Sequence, residues 1–144
     1  MGEGPLPAWV PLRLSVSVPL LALIWAVAAP VHAAPLSIKS EAGKFILQVR
    51  GIARPERLNH LHGFDLMLTT AGGKPVPGAT IGLSGLRRET SSPLPTLPQV
   101  SAAPGAGHYR AEGLRFHMPG EWQLIFAIGD GAIRDRALLD IVVK

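Results

Sequence analysis

His60-Leu61-His62 sets two imidazoles two residues apart, a spacing that puts both on the same side of an extended strand. Two imidazoles so placed can share a copper or zinc ion. The same parity also aligns them with Phe64, Leu66 and Leu68, so they can instead close one end of an apolar core, with ring nitrogens bonded to loop carbonyls. His117-Met118 is a second pair, an imidazole beside a thioether, and soft sulfur selects Cu(I). Met118 shares parity with Leu114 and Phe116, which gives it a packing role as the alternative. The metal-type candidates are therefore His60, His62, His117 and Met118, with copper the one cofactor at issue. Met67 and His108 are the remaining strong N or S donors beyond the N-terminal segment, and spacing shows no partner for either. The chain has no cysteine, which excludes disulfides, thiolate zinc sites, iron–sulfur clusters and thiol nucleophiles.

Catalytic patterns are missing. The chain carries no G-x-S-x-G elbow, phosphate loop, dinucleotide fingerprint or H-E-x-x-H. Asp65, Glu112 and Glu121 are isolated carboxylates that read as solvated strand residues, so no catalytic residue is assigned. The net charge of +4 is mild and scattered, with Arg87-Arg88 the one adjacent basic pair and no aromatics interleaved with basic residues. That pattern argues against nucleic-acid binding.

These residues need a scaffold, and the first 33 positions are not part of it. Arg13 precedes the apolar stretch Leu14 to Ala29, and Val31-His32-Ala33 then offers small or medium residues where a signal peptidase reads them. The segment reads as a signal peptide over 1–33, cleaved before Ala34-Pro35, and it is short for a spanning helix of about 20 residues. Cleavage predicts a periplasmic or secreted domain. An uncleaved segment would instead anchor the domain in the membrane, facing the periplasm. Residues 34–43 read as a linker and 44–144 as one domain.

Within that domain, alternation of period two dominates. Lys44 to Arg50 sets Phe45, Leu47 and Val49 on one side. His60 to Thr69 sets Phe64, Leu66 and Leu68 together, with Asp65 and Thr69 pointing away. Residues 71–75 form a turn, Val76 to Leu83 a strand, and the proline-rich stretch 84–108 a long irregular connection. Tyr109 to Phe116 extends again. Pro119-Gly120 leads into Trp122, Leu124, Phe126 and Ile128, the strongest alternating face. Gly129-Asp130-Gly131 makes a hairpin turn, and Arg136 to Val143 closes the chain with Leu139, Ile141 and Val143 inward. Short strands at this spacing predict an all-β, immunoglobulin-like antiparallel sandwich of about seven strands. Tyr109, two residues after Gly107, reads as a structural corner tyrosine, and Trp122 as a core anchor.

A family resemblance joins these residues. Asn59-His60-Leu61-His62, Gly73-Lys74-Pro75-Val76-Pro77-Gly78-Ala79, the Pro95-Thr96-x-Pro98 run, and the block from Gly107-His108-Tyr109 through Phe116-His117-Met118-Pro119-Gly120-x-Trp122 together resemble the YtkA-like/FixH-like family over about residues 44–143. The resemblance implies an immunoglobulin-like domain outside the cytoplasmic membrane. It also implies a non-enzymatic accessory role, linked to copper handling or the maturation of respiratory and redox proteins, and a protein partner in the cell envelope. His62 and Met118 match residues that the family commonly carries. Many members also carry a Met and two His just before the Pro-Thr-x-Pro run, where this chain has Arg87, Thr90 and Ser92. The alternative implied by that departure is a metal-free structural or protein-interaction domain.

Overall fold

The computed structural model describes residues 2–4, 34–52 and 57–144. The chain divides into two compact units, Met1–Val31 and His32–Lys144. The expected leader and its cleavage position after Ala33 lie outside the described residues. Among the described residues, no helix is long and apolar enough to cross a membrane.

Nine strands are described: β1 Leu36–Lys39, β2 Phe45–Arg50, β3 His62–Thr70, β4 Thr80–Arg87, β5 Ser92–Pro93, β6 Gln99–Ala102, β7 His108–Leu114, β8 Gly120–Asp130 and β9 Ile133–Val143. They form two antiparallel sheets, ordered β1-β2-β3-β7-β6 and β5-β4-β8-β9. The expected all-β sandwich is what the chain forms. Its core is the set of inward residues that alternation selects: Phe45, Leu47 and Val49 on β2, Phe64, Leu66 and Leu68 on β3, Trp122, Leu124, Phe126 and Ile128 on β8, and Leu139, Ile141 and Val143 on β9.

The structure differs from the sequence expectation at the edges. Leu36–Lys39, inside the expected linker, is an edge strand of the larger sheet. β4 begins at Thr80 rather than Val76 and runs on to Arg87. The expected irregular connection holds the last four residues of β4 and the short strands β5 and β6, so the described residues form nine strands rather than about seven. Thr69 keeps its expected outward parity but is buried there, where the following turn folds back and bridges it to Pro75. The β8–β9 hairpin turns at Gly131-Ala132, one residue later than expected, with Asp130 opposite Ile133.

Two polar joints fix how the strands meet. The buried Tyr109 hydroxyl donates to the Val76 carbonyl at 2.7 Å and accepts from the Ala79 amide at 2.9 Å. It thereby holds the chain between β3 and β4 against β7, as the corner role predicts. The second joint is Asp135 on β9. Its carboxylate accepts from the amides of Ala42 at 3.0 Å, Lys44 at 3.3 Å and Arg136 at 2.8 Å, pinning the β1–β2 turn to the edge of the other sheet. The Ser40 hydroxyl first, and then these amides, hold the Asp135 carboxyl at about 2 against an ordinary 3.8. A depressed folded pKa contributes stability that is fully present above the ordinary value and is lost as pH falls through the folded one. Wild-type protein should therefore lose an increment of stability between about pH 4 and pH 2 that Asp135→Asn lacks. Urea midpoints measured against pH should show the gap between the two proteins narrowing over that window. Parallel profiles would mean that the carboxylate does not hold the turn.

Candidate functional site

The sequence candidates gather at the end of the sandwich where β3 starts, β7 finishes and β8 begins. His62 opens β3 opposite Leu114 of β7, and the register shifts between His62 and Phe64. Asn59 takes a left-handed φ of 59°, which a short polar side chain tolerates better than most, and its amide donates to the Phe116 carbonyl at 2.8 Å. The loop before β3 thus folds back over the segment after β7. β3 begins only at His62, so His60 lies in this loop and stands exposed rather than facing the core beside His62.

His62 is half-buried. Its Nε2 lies 2.9 Å from the Arg57 carbonyl, and its ring sits 6.2 Å from that of Phe116. Phe116 is fully buried and meets Trp122 edge-on at 5.4 Å. His117 is half-buried and packs edge-on against Trp122 at 5.6 Å, with its Nδ1 buried and without a hydrogen-bond partner among the described residues. Met118 packs against the core, and its carbonyl accepts the Trp122 indole N–H at 3.0 Å. His62, His117 and Met118 are thus arranged around the same aromatic pair, and His60 is not. Among the described residues, no group of three or more His, Cys, Asp or Glu is placed to hold a metal ion.

The segment 87–92 reaches the same end. Arg87 Nε donates to the Pro119 carbonyl at 2.9 Å, and its Nη2 pairs with Glu89 Oε2 at 2.6 Å. Glu89 in turn accepts from the Glu121 amide at 3.4 Å, and Arg88 donates its amide to the Glu121 carbonyl at 2.9 Å. The ion pair lies directly on Gly120. Gly120 has a φ of +129°, which an L side chain rarely adopts, and a Cβ there would come 2.7 Å from Glu89 Oε2 and 2.8 Å from Arg87 Nε, so both side chains would have to shift. Thr90 and Ser92 bond to each other through their hydroxyls at 2.8 Å.

This lock could not be read from spacing, because Arg87 and Pro119 are far apart in sequence and meet only through the β4–β8 register, which sets Arg87 opposite Trp122. Register also pairs two residues that spacing left alone, placing Met67 of β3 opposite His108 of β7.

A family model described as YtkA-like matches residues 57–127, from the loop before β3 into β8. No curated protein and no solved structure matches the chain.

Proposed function

Because the chain belongs to the YtkA-like family, matched over residues 57–127, we propose that it is an exported accessory domain that catalyses no reaction and acts by binding a protein partner in the cell envelope. The observation that carries this reading is the Arg87–Glu89 lock against Pro119 and Gly120. The family resemblance would put a thioether at position 87 and imidazoles at 90 and 92. Here a guanidinium, itself a cation, lies beside the Met118-Pro119 segment, and the Thr90 and Ser92 hydroxyls satisfy each other. These residues do not fit a copper ion held between segment 87–92 and Met118. A charged group with fixed partners, at the end of a rigid sandwich, suits structure and contact better than metal exchange.

A second reading, copper bound through His117 and Met118 with His62, rests on a different observation. The buried, unpartnered Nδ1 of His117 is the kind of donor a metal ion would satisfy. Neutral imidazole and thioether ligands favour Cu(I), and imidazole binds metal only when deprotonated, so uptake would weaken in acid.

Cu(I) competition against a chelator separates the two. Wild-type protein, His117→Ala and the double variant His60→Ala/His62→Ala are expected to leave the chelator's copper in place alike. Stoichiometric uptake by wild type that is lost in His117→Ala would overturn the metal-free reading. Uptake that survives in His117→Ala but not in the double variant would move the site to the start of β3.

A further inference from the structure

A sandwich has sheet edges, and an unpaired edge is a template for another strand unless something covers it. β1 and β6 have four residues each and β5 has two, whereas β9 has eleven. Its first half is already covered. The Glu41 amide donates to the Arg136 carbonyl at 2.8 Å, and Asp135 Oδ1 accepts from the Arg136 amide. The Arg136 main chain therefore faces away from β8. In an antiparallel ladder, residues two apart turn their amides and carbonyls to the same side, so Leu138, Asp140 and Val142 face outward as well. Among the described residues nothing bonds to those groups.

The side chains of these three residues lie on the outer face of the sheet. Val142 is 59% exposed, and Leu138 is half-buried opposite the half-buried Ile125. Between them, the side chain of Asp140 is 59% exposed. Its carboxylate pairs with Arg88 at 3.2 Å through one oxygen and accepts from Gln123 Nε2 at 3.2 Å through the other, so an incoming cation would share it. Main-chain donors and acceptors in a row call for an extended main chain, and the flanking side chains specify its pattern.

We propose that Leu138–Val143 receives an extended segment of a partner polypeptide as a fifth strand of the four-stranded sheet. The segment carries apolar side chains opposite Leu138 and Val142 and a lysine or arginine opposite Asp140. The proposal rests on the reading of the domain as a protein-binding module and names where and how it binds. A second copy of this chain is the alternative occupant, because a two-fold centred on Ile141 would set Asp140 opposite Val142 without pairing like charges. A two-fold centred on Asp140 sets two carboxylates directly opposite, which is destabilising. One centred on Leu138 needs the Arg136 main chain, which the Glu41 amide and the Asp135 carboxylate already occupy. Sedimentation showing a dimer that Val142→Pro abolishes overturns the partner segment.

The probe is a synthetic heptapeptide, Thr-Val-Thr-Lys-Thr-Val-Thr, followed by fluorescence anisotropy with the purified protein. Saturable binding is expected. It should fall about tenfold or more when the peptide amides facing the domain are N-methylated, because the side chains remain and the main-chain bonds go. Asp140→Pro and Val142→Pro should weaken it similarly while keeping the fold, since the amides they delete face away from β8 and proline is tolerated on a sheet edge. No saturable binding, or binding indifferent to N-methylation and to both proline variants, overturns the edge. A photo-crosslinker at Val142 and another at the exposed Leu97 in the exported protein then separate the two claims. Adducts from Val142 that vanish in Asp140→Pro support the edge. Adducts from Leu97 alone overturn the edge and leave a protein-binding domain, and none from either position removes both.

Discussion

Trp122→Ala is expected to destabilise the domain by about 3 to 5 kcal/mol, the cost of deleting a fully buried large aromatic and leaving a cavity. Trp122 has no exposed surface, and Phe116 at 5.4 Å and His117 at 5.6 Å pack edge-on against it. Its indole N–H also satisfies the Met118 carbonyl at 3.0 Å. The substitution therefore removes packing area and at the same time frees the turn that carries His117, Met118 and Pro119. Trp122→Phe separates the two effects: it keeps an aromatic ring and loses the indole bond, and should cost about 1 to 3 kcal/mol. Urea denaturation followed by circular dichroism measures both. A loss below about 1 kcal/mol for Trp122→Ala would falsify the inward parity of β8 that organises this end of the molecule.

Trp122 also shows how far the sequence could be read. One face of each long strand is buried and the other solvated, so alternation marked β2, β3, β8 and the end of β9 directly. The edges lack that signal. β1 contributes only Leu36 and Ile38 to the interior, β6 only the half-buried Val100, and β5 is two residues long with a proline. No window of ordinary length picks such strands out. Val76 was legible as apolar and misplaced as a strand residue, because it is buried by the turn and held through its carbonyl by Tyr109 rather than by a ladder. The candidate site divides along the same line. Parity put His62 and Met118 beside the core correctly, since both follow from local alternation. It failed at His60, which lies in the loop before β3 begins, and it could not see Arg87, which reaches Pro119 through pairing between distant strands.

Gly107→Ala should cost about 2 to 5 kcal/mol, more than its size suggests. Gly107 has a φ of +75°, where a residue with a Cβ is strained by about 1 to 3 kcal/mol. The added methyl would also stand 2.7 Å from the Leu68 carbonyl oxygen and 3.2 Å from the Val76 amide nitrogen. That carbonyl accepts from Val76 at 3.0 Å, and the Leu68 amide donates to the Gly107 carbonyl at 2.8 Å. Relieving the clash therefore separates groups that satisfy one another, at about 1 to 3 kcal/mol for a buried group left unpaired. It also pulls Val76 away from the Tyr109 hydroxyl that holds it. Gly78 is the control: its φ is +70°, but a Cβ there meets nothing within 4 Å, so Gly78→Ala bears the conformational strain alone, about 1 to 2 kcal/mol. Urea midpoints at constant m-value compare the two variants directly. Equal losses would mean that backbone conformation is all that glycine supplies at 107. A clearly larger loss there would place the close approach of Leu68, Val76 and Gly107, with Tyr109 across it, among the contacts that set the two sheets against each other.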